Sequence, residues 1–214
     1  MNINLSMSQV FIHDTGVVFI GHYFINDKNL KSNEKIHHVM IDEHRFAFKT
    51  DHGVFSKKGL DFGSRLLIDT VKNQAYQNVL DLGCGYGPLG IVLKSLGPKA
   101  TVTMVDINQR AVELTKQNAG MNHVDVCAYV SDGLEGVTGQ FDMIVTNPPI
   151  RAGKKTIYRF FKNSKAYLTK EGSLYIVIQK KQGASSTKAF CETIYNEVKV
   201  IQKKSGYQII KCGL

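Results

Sequence analysis

The chain has 214 residues, of which 27 are Lys or Arg and 18 Asp or Glu, and 43% are hydrophobic. This suffices for one large domain with a buried core, is too short for two ordinary ones, and contains no low-complexity tract that would mark a disordered or fibrous protein. Charge is divided unevenly: residues 1–146 hold 13 basic and 15 acidic side chains, a balance of −2, whereas 147–214 hold 14 and 3, a balance of +11, a split expected where one part of a molecule faces a polyanion.

In chain order, residues 1–21 match no pattern and are set apart as an N-terminal extension; residues 22–214 read as a single domain. No run approaches the roughly 20 apolar residues that span a bilayer. The first 25 residues lack a basic leading segment, and His13 and Asp14 interrupt the apolar stretch, so no secretory signal and no membrane partner are expected, and the location expected is cytoplasmic. Glu34–Ile41 and Arg45–Thr50 are β-rich around Asp42, Glu43 and His44, which predicts a hairpin over 34–50. A helix follows from Asp61 or Ser64 through Val71, with Leu66, Leu67 and Val71 on one face. Strands are then predicted at Val79–Leu82, Thr101–Asp106, Val126–Val130, Phe141–Thr146 and Ser173–Gln179. Helices are predicted between them at Leu89–Leu96, Gln109–Ala119, Thr156–Leu168 and Ser185–Val198. This alternation over 60–214 implies a parallel sheet with helices on both faces. Val198–Gln202 and Tyr207–Lys211 flank Lys-Lys-Ser-Gly, a hairpin that adds an antiparallel strand to the sheet. Cys84, Cys127, Cys191 and Cys212 show no paired spacing, and His37, His38 and His44 lack a completing carboxylate or cysteine, so neither a disulfide framework nor a metal site is expected.

The segment Val79-Leu80-Asp81-Leu82-Gly83-Cys84-Gly85-Tyr86-Gly87-Pro88-Leu89-Gly90 runs from a strand through a glycine loop into a helix that Pro88 begins. Glycines there allow a tight turn and a close ligand approach at the carboxyl edge of the sheet. Gly85, Gly87 and Gly90 alone also satisfy the dinucleotide fingerprint. Three acids favour S-adenosylmethionine instead. Asp81, directly ahead of the loop, suits an amino-acid ammonium better than a pyrophosphate. Asp106, at the end of the second strand, can accept from both ribose hydroxyls. Asp132, after the third, is placed for an adenine amino group. A turn or cap explains any one of these acids; three at successive strand ends are harder to explain that way.

The fourth strand ends in Asn147-Pro148-Pro149-Ile150. Consecutive prolines stiffen the backbone and hold Asn147 extended, so that its carboxamide and the Pro148 carbonyl can converge on one NH₂ group. An exocyclic amine on a base is a weak nucleophile because its lone pair is delocalised. Two acceptors on its N–H hydrogens favour a localised lone pair, with catalysis by orientation and placed dipoles.

Together, Asp81–Gly87 and Asn147–Ile150 resemble the class I S-adenosylmethionine-dependent methyltransferases that act on planar amines. Gly53-Val54-Phe55-Ser56-Lys57-Lys58-Gly59-Leu60-Asp61-Phe62-Gly63-Ser64, Asn147–Lys154 and Gln179–Ala184 are similar to the ribosomal small-subunit methyltransferase C group, whose members methylate guanine N2 in 16S ribosomal RNA. The resemblance implies an α/β, Rossmann-like methyltransferase sheet, mostly parallel with one antiparallel strand, preceded by a small β-hairpin. It implies an enzyme with S-adenosyl-L-methionine as cofactor and ribosomal RNA or the small ribosomal subunit as partner. Asp81, Gly83 and Gly85 would contact the methionine portion, Asp106 with Ile107 the ribose, and Asp132 with Gly133 the adenine. Asn147 and Pro148 would receive the target amine, and Phe55 and Lys58 would help close the pocket. Ile150 stands where many relatives carry an aromatic ring, so base recognition needs another wall, with Phe55 and Tyr86 as candidates. The second, degenerate methyltransferase-like domain that precedes the catalytic one in well-known members has only the hairpin in its place.

Arg151, Lys154 and Lys155 follow the catalytic strand and Lys180 and Lys181 end the next, where they would hold RNA phosphates at the same edge. The competing readings are an N-methyltransferase of a small molecule or a protein glutamine, a non-catalytic RNA-binding assembly factor, and, further off, an NAD oxidoreductase.

Overall fold

The computed structural model describes residues 31–56 and 58–214 and the backbone of residues 12–13 and 16–17. The rest of the 1–21 extension lies outside the described residues. Ile12–His13 (β1) and Gly16–Val17 (β2) pair antiparallel.

The hairpin consists of Lys35–Ile41 (β3) and His44–Thr50 (β4), with Ile41 opposite His44. Its turn is therefore only Asp42 and Glu43, with Asp42 at φ +50°, and His44 is the first strand residue rather than the last turn residue. Phe46, Phe48 and Thr50 alternate inward and are buried. Phe48 stacks on Phe46 at 6.1 Å and meets Tyr86 edge-on at 5.9 Å, which joins the hairpin to the main core.

The outer edge of β4 is met by a helix, Gln109–Met121 (α3). Asn118 accepts from Lys49 N–H at 2.7 Å and donates to Lys49 C=O at 2.9 Å. Asn122, four residues on, does the same for Ala47 at 2.9 and 2.7 Å. Helical residues four apart share a face, as strand residues two apart share an edge, so two amides satisfy what would otherwise be unpaired strand groups.

The main sheet contains Asn78–Leu82 (β5), Thr101–Asp106 (β6), Cys127–Val130 (β7), Phe141–Thr146 (β8), Leu168–Gln179 (β9), Glu197–Lys204 (β10) and Tyr207–Gly213 (β11) in the spatial order β10-β11-β9-β8-β5-β6-β7. Only β11 runs against its neighbours in this sheet, as the one predicted antiparallel strand. Phe62–Val71 (α1), Pro88–Leu96 (α2), α3 and the hairpin pack in one core cluster, while Lys154–Ser164 (α4) and Ala184–Glu192 (α5) pack in the other. The fold is therefore the expected Rossmann-like methyltransferase arrangement, and every parallel strand delivers its last residue to one edge.

Lys203 and Lys204, expected in the terminal turn, extend β10, and three other boundaries differ most from the sequence expectation. Helix α4 stops at Ser164, and Leu168 opens β9. Residues 170–172, which fall between the predicted helix and strand, continue the strand through an irregular register opposite Phe141–Met143. Helix α5 ends at Glu192 rather than Val198, because Tyr195 turns inward and donates to the Phe161 carbonyl at 2.6 Å, while Lys165 donates to that of Ile194 at 2.5 Å. The apolar Ile194 and Tyr195 thus serve the turn rather than prolong the helix.

Candidate functional site

At the end of β5, Gly83 and Cys84 both donate to the Val105 carbonyl at 2.9 Å. Gly83, Gly85 and Gly87 all have positive φ, between +59° and +97°. A Cβ on Gly83 or Gly85 would meet nothing within 4 Å, whereas one on Gly87 would lie 2.8 Å from Ile91 and one on Gly90 2.7 Å from Met104. The first two glycines therefore border open space, and the last two permit close packing. Helix α3 braces the loop: Thr115 donates to Gly85 C=O at 2.9 Å and Asn118 to Tyr86 C=O at 2.8 Å.

Asp81 is fully buried beneath this loop. Its Oδ2 accepts from Gly90 N–H at 2.9 Å, satisfying an otherwise unpaired donor in the first turn of α2, while Oδ1 has no partner among the described residues. Burial, aided by the nearby Asp106 charge, pushes its carboxyl up to about 7 against the lowering effect of the Gly90 N–H. A buried carboxylate with one unfilled acceptor matches a ligand ammonium.

Asp106 ends β6 almost fully buried, accepting from Gly85 N–H through Oδ2 and from Asn108 N–H through Oδ1, both at 2.9 Å. It thus ties the glycine loop to the start of α3, a bracing role beside the ribose contact read from sequence. Half-buried Ile107 lies between it and the α3 N-cap, Asn108. Asp132 is paired with Arg159 at 2.7 Å, and the Arg159 guanidinium lies 5.5 Å from the Phe160 ring centre. Gly133, at φ +62°, leaves room for Phe160, which a Cβ would approach to 2.5 Å. Helix α4 thereby holds the loop after β7.

Strand β8 runs parallel to β5, with Val145 opposite Asp81, and Thr146 donates to the Leu82 carbonyl at 2.8 Å. Asn147 is consequently held at the same edge as the glycine loop. Its Nδ2 donates to Ser64 Oγ at 3.0 Å and to the two carboxylate oxygens of Asp61 at 3.3 and 3.4 Å. Asp61 also caps α1, accepting from Gly63 and Ser64 N–H. An ionised carboxylate only accepts, so it forces the amide to turn NH₂ toward α1 and leaves Oδ1 as the acceptor for an incoming group. Pro148 is buried, and the Pro149 carbonyl accepts from Ala152 N–H at 2.8 Å, closing a 3₁₀ turn over Ile150–Ala152.

Phe55 and Lys58 are exposed on the connection between β4 and α1. Asn108 donates to Gly53 C=O at 2.9 Å and Ser56 to Gly59 C=O at 2.5 Å, anchoring this connection beside the site. Tyr86 is 2% exposed and packed on Phe48, so it belongs to the core and offers no wall to a base. Ile150 is half-buried against the α4 and α5 core. Arg151, Lys154, Lys155, Lys180 and Lys181 are exposed, and the Lys154 Cε lies 3.9 Å from the Cβ position of Gly183, so the two basic segments adjoin. Among the described residues no group of His, Cys, Asp and Glu is arranged to hold a metal.

Asp61, Ser64, Asn108, Thr115 and Asn118 escaped the sequence reading. Asp61 and Ser64 were visible as a helix start; their contact with a residue more than 80 positions away was not.

The family model for the methyltransferase small domain matches residues 45–211. A Bacillus subtilis protein, YbxB, whose name describes it as uncharacterized, is 46% identical over 194 residues, covering 89% of this chain and 96% of its own length. Ribosomal RNA small subunit methyltransferase C of Haemophilus influenzae is 40% identical over 129 residues, 58% of this chain and 39% of that protein. The T. thermophilus 16S rRNA N2 G1207 methyltransferase, solved with AdoMet and guanosine, superposes with a TM-score of 0.77 at 25% identity, covering 86% of this chain and 51% of the other. The chain thus spans about half or less of the length of these last two proteins.

Proposed function

The chain belongs to the methyltransferase small domain family and is an S-adenosylmethionine-dependent methyltransferase; from that premise we propose that it methylates an exocyclic amine of RNA, guanine N2 of 16S ribosomal RNA in the small subunit. S-adenosylmethionine supplies a methyl group made electrophilic by its sulfonium. Asp81 would receive the cofactor ammonium, Gly83 and Gly85 would let its methionine portion lie on the backbone, and Asp106 and Asp132 would meet the ribose and adenine.

The observation that carries the reading is the orientation of Asn147. With NH₂ committed to Asp61 and Ser64, its Oδ1 accepts one amine hydrogen and the Pro148 carbonyl the other. So held, the amine nitrogen would present a localised lone pair to the methyl carbon; the N–C bond would form as the S–C bond breaks, leaving the cofactor as its neutral thioether, and the surplus proton would pass to water. A preorganised pair of dipoles acts without reorganising during the reaction. The adjoining basic segments, Arg151–Lys155 and Lys180–Lys181, favour RNA over a small molecule or a protein glutamine. The two methyltransferases named above act on small-subunit ribosomal RNA, which supports the same substrate.

The test offers purified protein and labelled S-adenosylmethionine to undermethylated small subunits and to deproteinised RNA, followed by nucleoside analysis. Label is expected in N2-methylguanosine. Label in no RNA nucleoside would refute the proposal.

A further inference from the structure

The tip of the β10–β11 hairpin lies at the carboxyl edge that carries Asn147. Gly206 C=O accepts from Lys180 N–H at 2.7 Å, and Ser205 and Gly206 have φ of +48° and +79°, the two left-handed positions of a tight hairpin turn. Lys204 pairs with Tyr207, and Tyr207 pairs with Gln179. Residues directly opposite in an antiparallel ladder share a face, so Lys204, Tyr207 and Gln179 form one row.

That row faces the start of α1. The Phe62 and Tyr207 rings lie 5.2 Å apart at 42°. A Cβ on Gly63 would stand 2.9 Å from Tyr207 Cε1, so glycine is what lets the ring approach the helix. Gln179 donates to the Tyr207 hydroxyl and holds the ring in place. Phe62 nevertheless remains 41% exposed, so one part of the ring packs on Tyr207 and the rest faces solvent. It directly follows Asp61, whose carboxylate orients Asn147. An exposed aromatic face therefore lies at the start of α1, one residue from the carboxylate that orients the Asn147 amide, with exposed Lys204 opposite the Tyr207 that backs it.

We propose that Phe62, backed by Tyr207, stacks a base next to the target in single-stranded RNA, while Lys204 holds the adjoining phosphate. The chemistry is that of single-strand recognition: a π-face that accepts any base, with an exposed cation on the same row of side chains. Charge complementarity selects this occupant, because the patch is aromatic at its centre and basic at its margin. The site supplies an aromatic surface that Ile150 does not. It rests on the RNA reading above and extends it to a nucleotide other than the one methylated.

The test measures anisotropy of a fluorescein-labelled single-stranded RNA across a salt series, with thermal melting of each variant in parallel. Phe62→Ala is expected to weaken binding roughly tenfold at unchanged melting temperature, and Phe62→Trp to retain or tighten it. Lys204→Gln is expected to lower the log–log salt slope by about 0.7. RNA binding by the unaltered protein, with Phe62→Ala and Lys204→Gln matching it in affinity and slope, would overturn this site alone. No salt-dependent RNA binding by the unaltered protein would overturn the RNA reading and the site together.

Discussion

Asn147 and Ser64 stand 83 positions apart in the chain and 3.0 Å apart in the fold, joined by a hydrogen bond from the Asn147 amide to the Ser64 hydroxyl. The bond links the Asn147–Ile150 turn after β8 to the first turn of α1, where Asp61 reinforces it.

Replacing Asn147 with Ala should lower kcat by about 10²–10³ while S-adenosylmethionine affinity stays the same, as for loss of one preorganised polar group. Asp61→Asn tests orientation. Asn caps a helix as well as Asp does, so the melting temperature should hold. Its own NH₂ would face Asn147 and favour the flipped amide, so kcat should fall with little change in KM. An unchanged kcat would show that Asp61 does not set the rotamer.

The Asp81 carboxyl, raised to about 7, should make cofactor binding pH-dependent if it receives the cofactor ammonium as proposed. An ionised Asp81 is the form that receives an ammonium, so affinity should rise from pH 5.5 to about 7 and then level off, with binding near pH 6 releasing close to one proton. Calorimetry in two buffers of different ionisation enthalpy measures that proton. The stability sign is opposite: unfolded Asp titrates near 3.9, so protonated Asp81 contributes stability that is complete below that pH and is lost as pH rises through about 7. Asp81→Asn should therefore melt higher than the parent at pH 8 without cofactor, yet bind cofactor poorly and without a pH slope.

Two glycine substitutions should fail in different ways. Gly85→Ala projects a methyl into open space at φ +59°, so it should cost about 1 kcal/mol of stability and a much larger share of cofactor affinity. Gly90→Ala forces a methyl against buried Met104, so it should lower stability by about 1–3 kcal/mol before it affects binding. Denaturant melts paired with cofactor titration distinguish the two.

Phosphate contacts at the basic edge should appear in the salt dependence of RNA binding. Each phosphate neutralised on a single strand contributes about 0.7 to the log–log slope, so Lys180→Gln with Lys181→Gln should reduce it by about 1.4. A flat salt response in the unaltered protein would point to the small-molecule or protein substrates instead.

Asn118→Leu removes one acceptor and two donors facing Lys49 and Tyr86, and should cost about 2–4 kcal/mol by denaturant melting. Because the same amide braces the glycine loop, cofactor affinity should fall too.

The strand and helix alternation was legible in sequence because parallel strands buried on both faces are nearly all apolar, and because Asp81, Asp106 and Asn147 sit at the strand ends where such a sheet gathers ligands. The helix that ends at Glu192 was read too long because Ile194 and Tyr195 continue its apolar pattern, and periodicity does not distinguish a last turn from an inward loop. Tyr86 is an aromatic residue in the glycine loop and so a candidate wall for a base, whereas Phe48, from a distant strand, covers it. The Asp61–Asn147 contact and the amides on β4 depend on tertiary approach, and polar residues of a helix carry no local mark of what they will meet.

The amides of Asn118 and Asn122 have one more consequence. Ala47 and Lys49 are the alternate positions through which β4 would accept another strand, and both have N–H and C=O already engaged by α3. An uncapped strand edge is a template for β-augmentation, by a second copy or by an unfolded neighbour. Here the outer edge of β4 is closed to intermolecular pairing at these positions by the helix that also steadies the glycine loop.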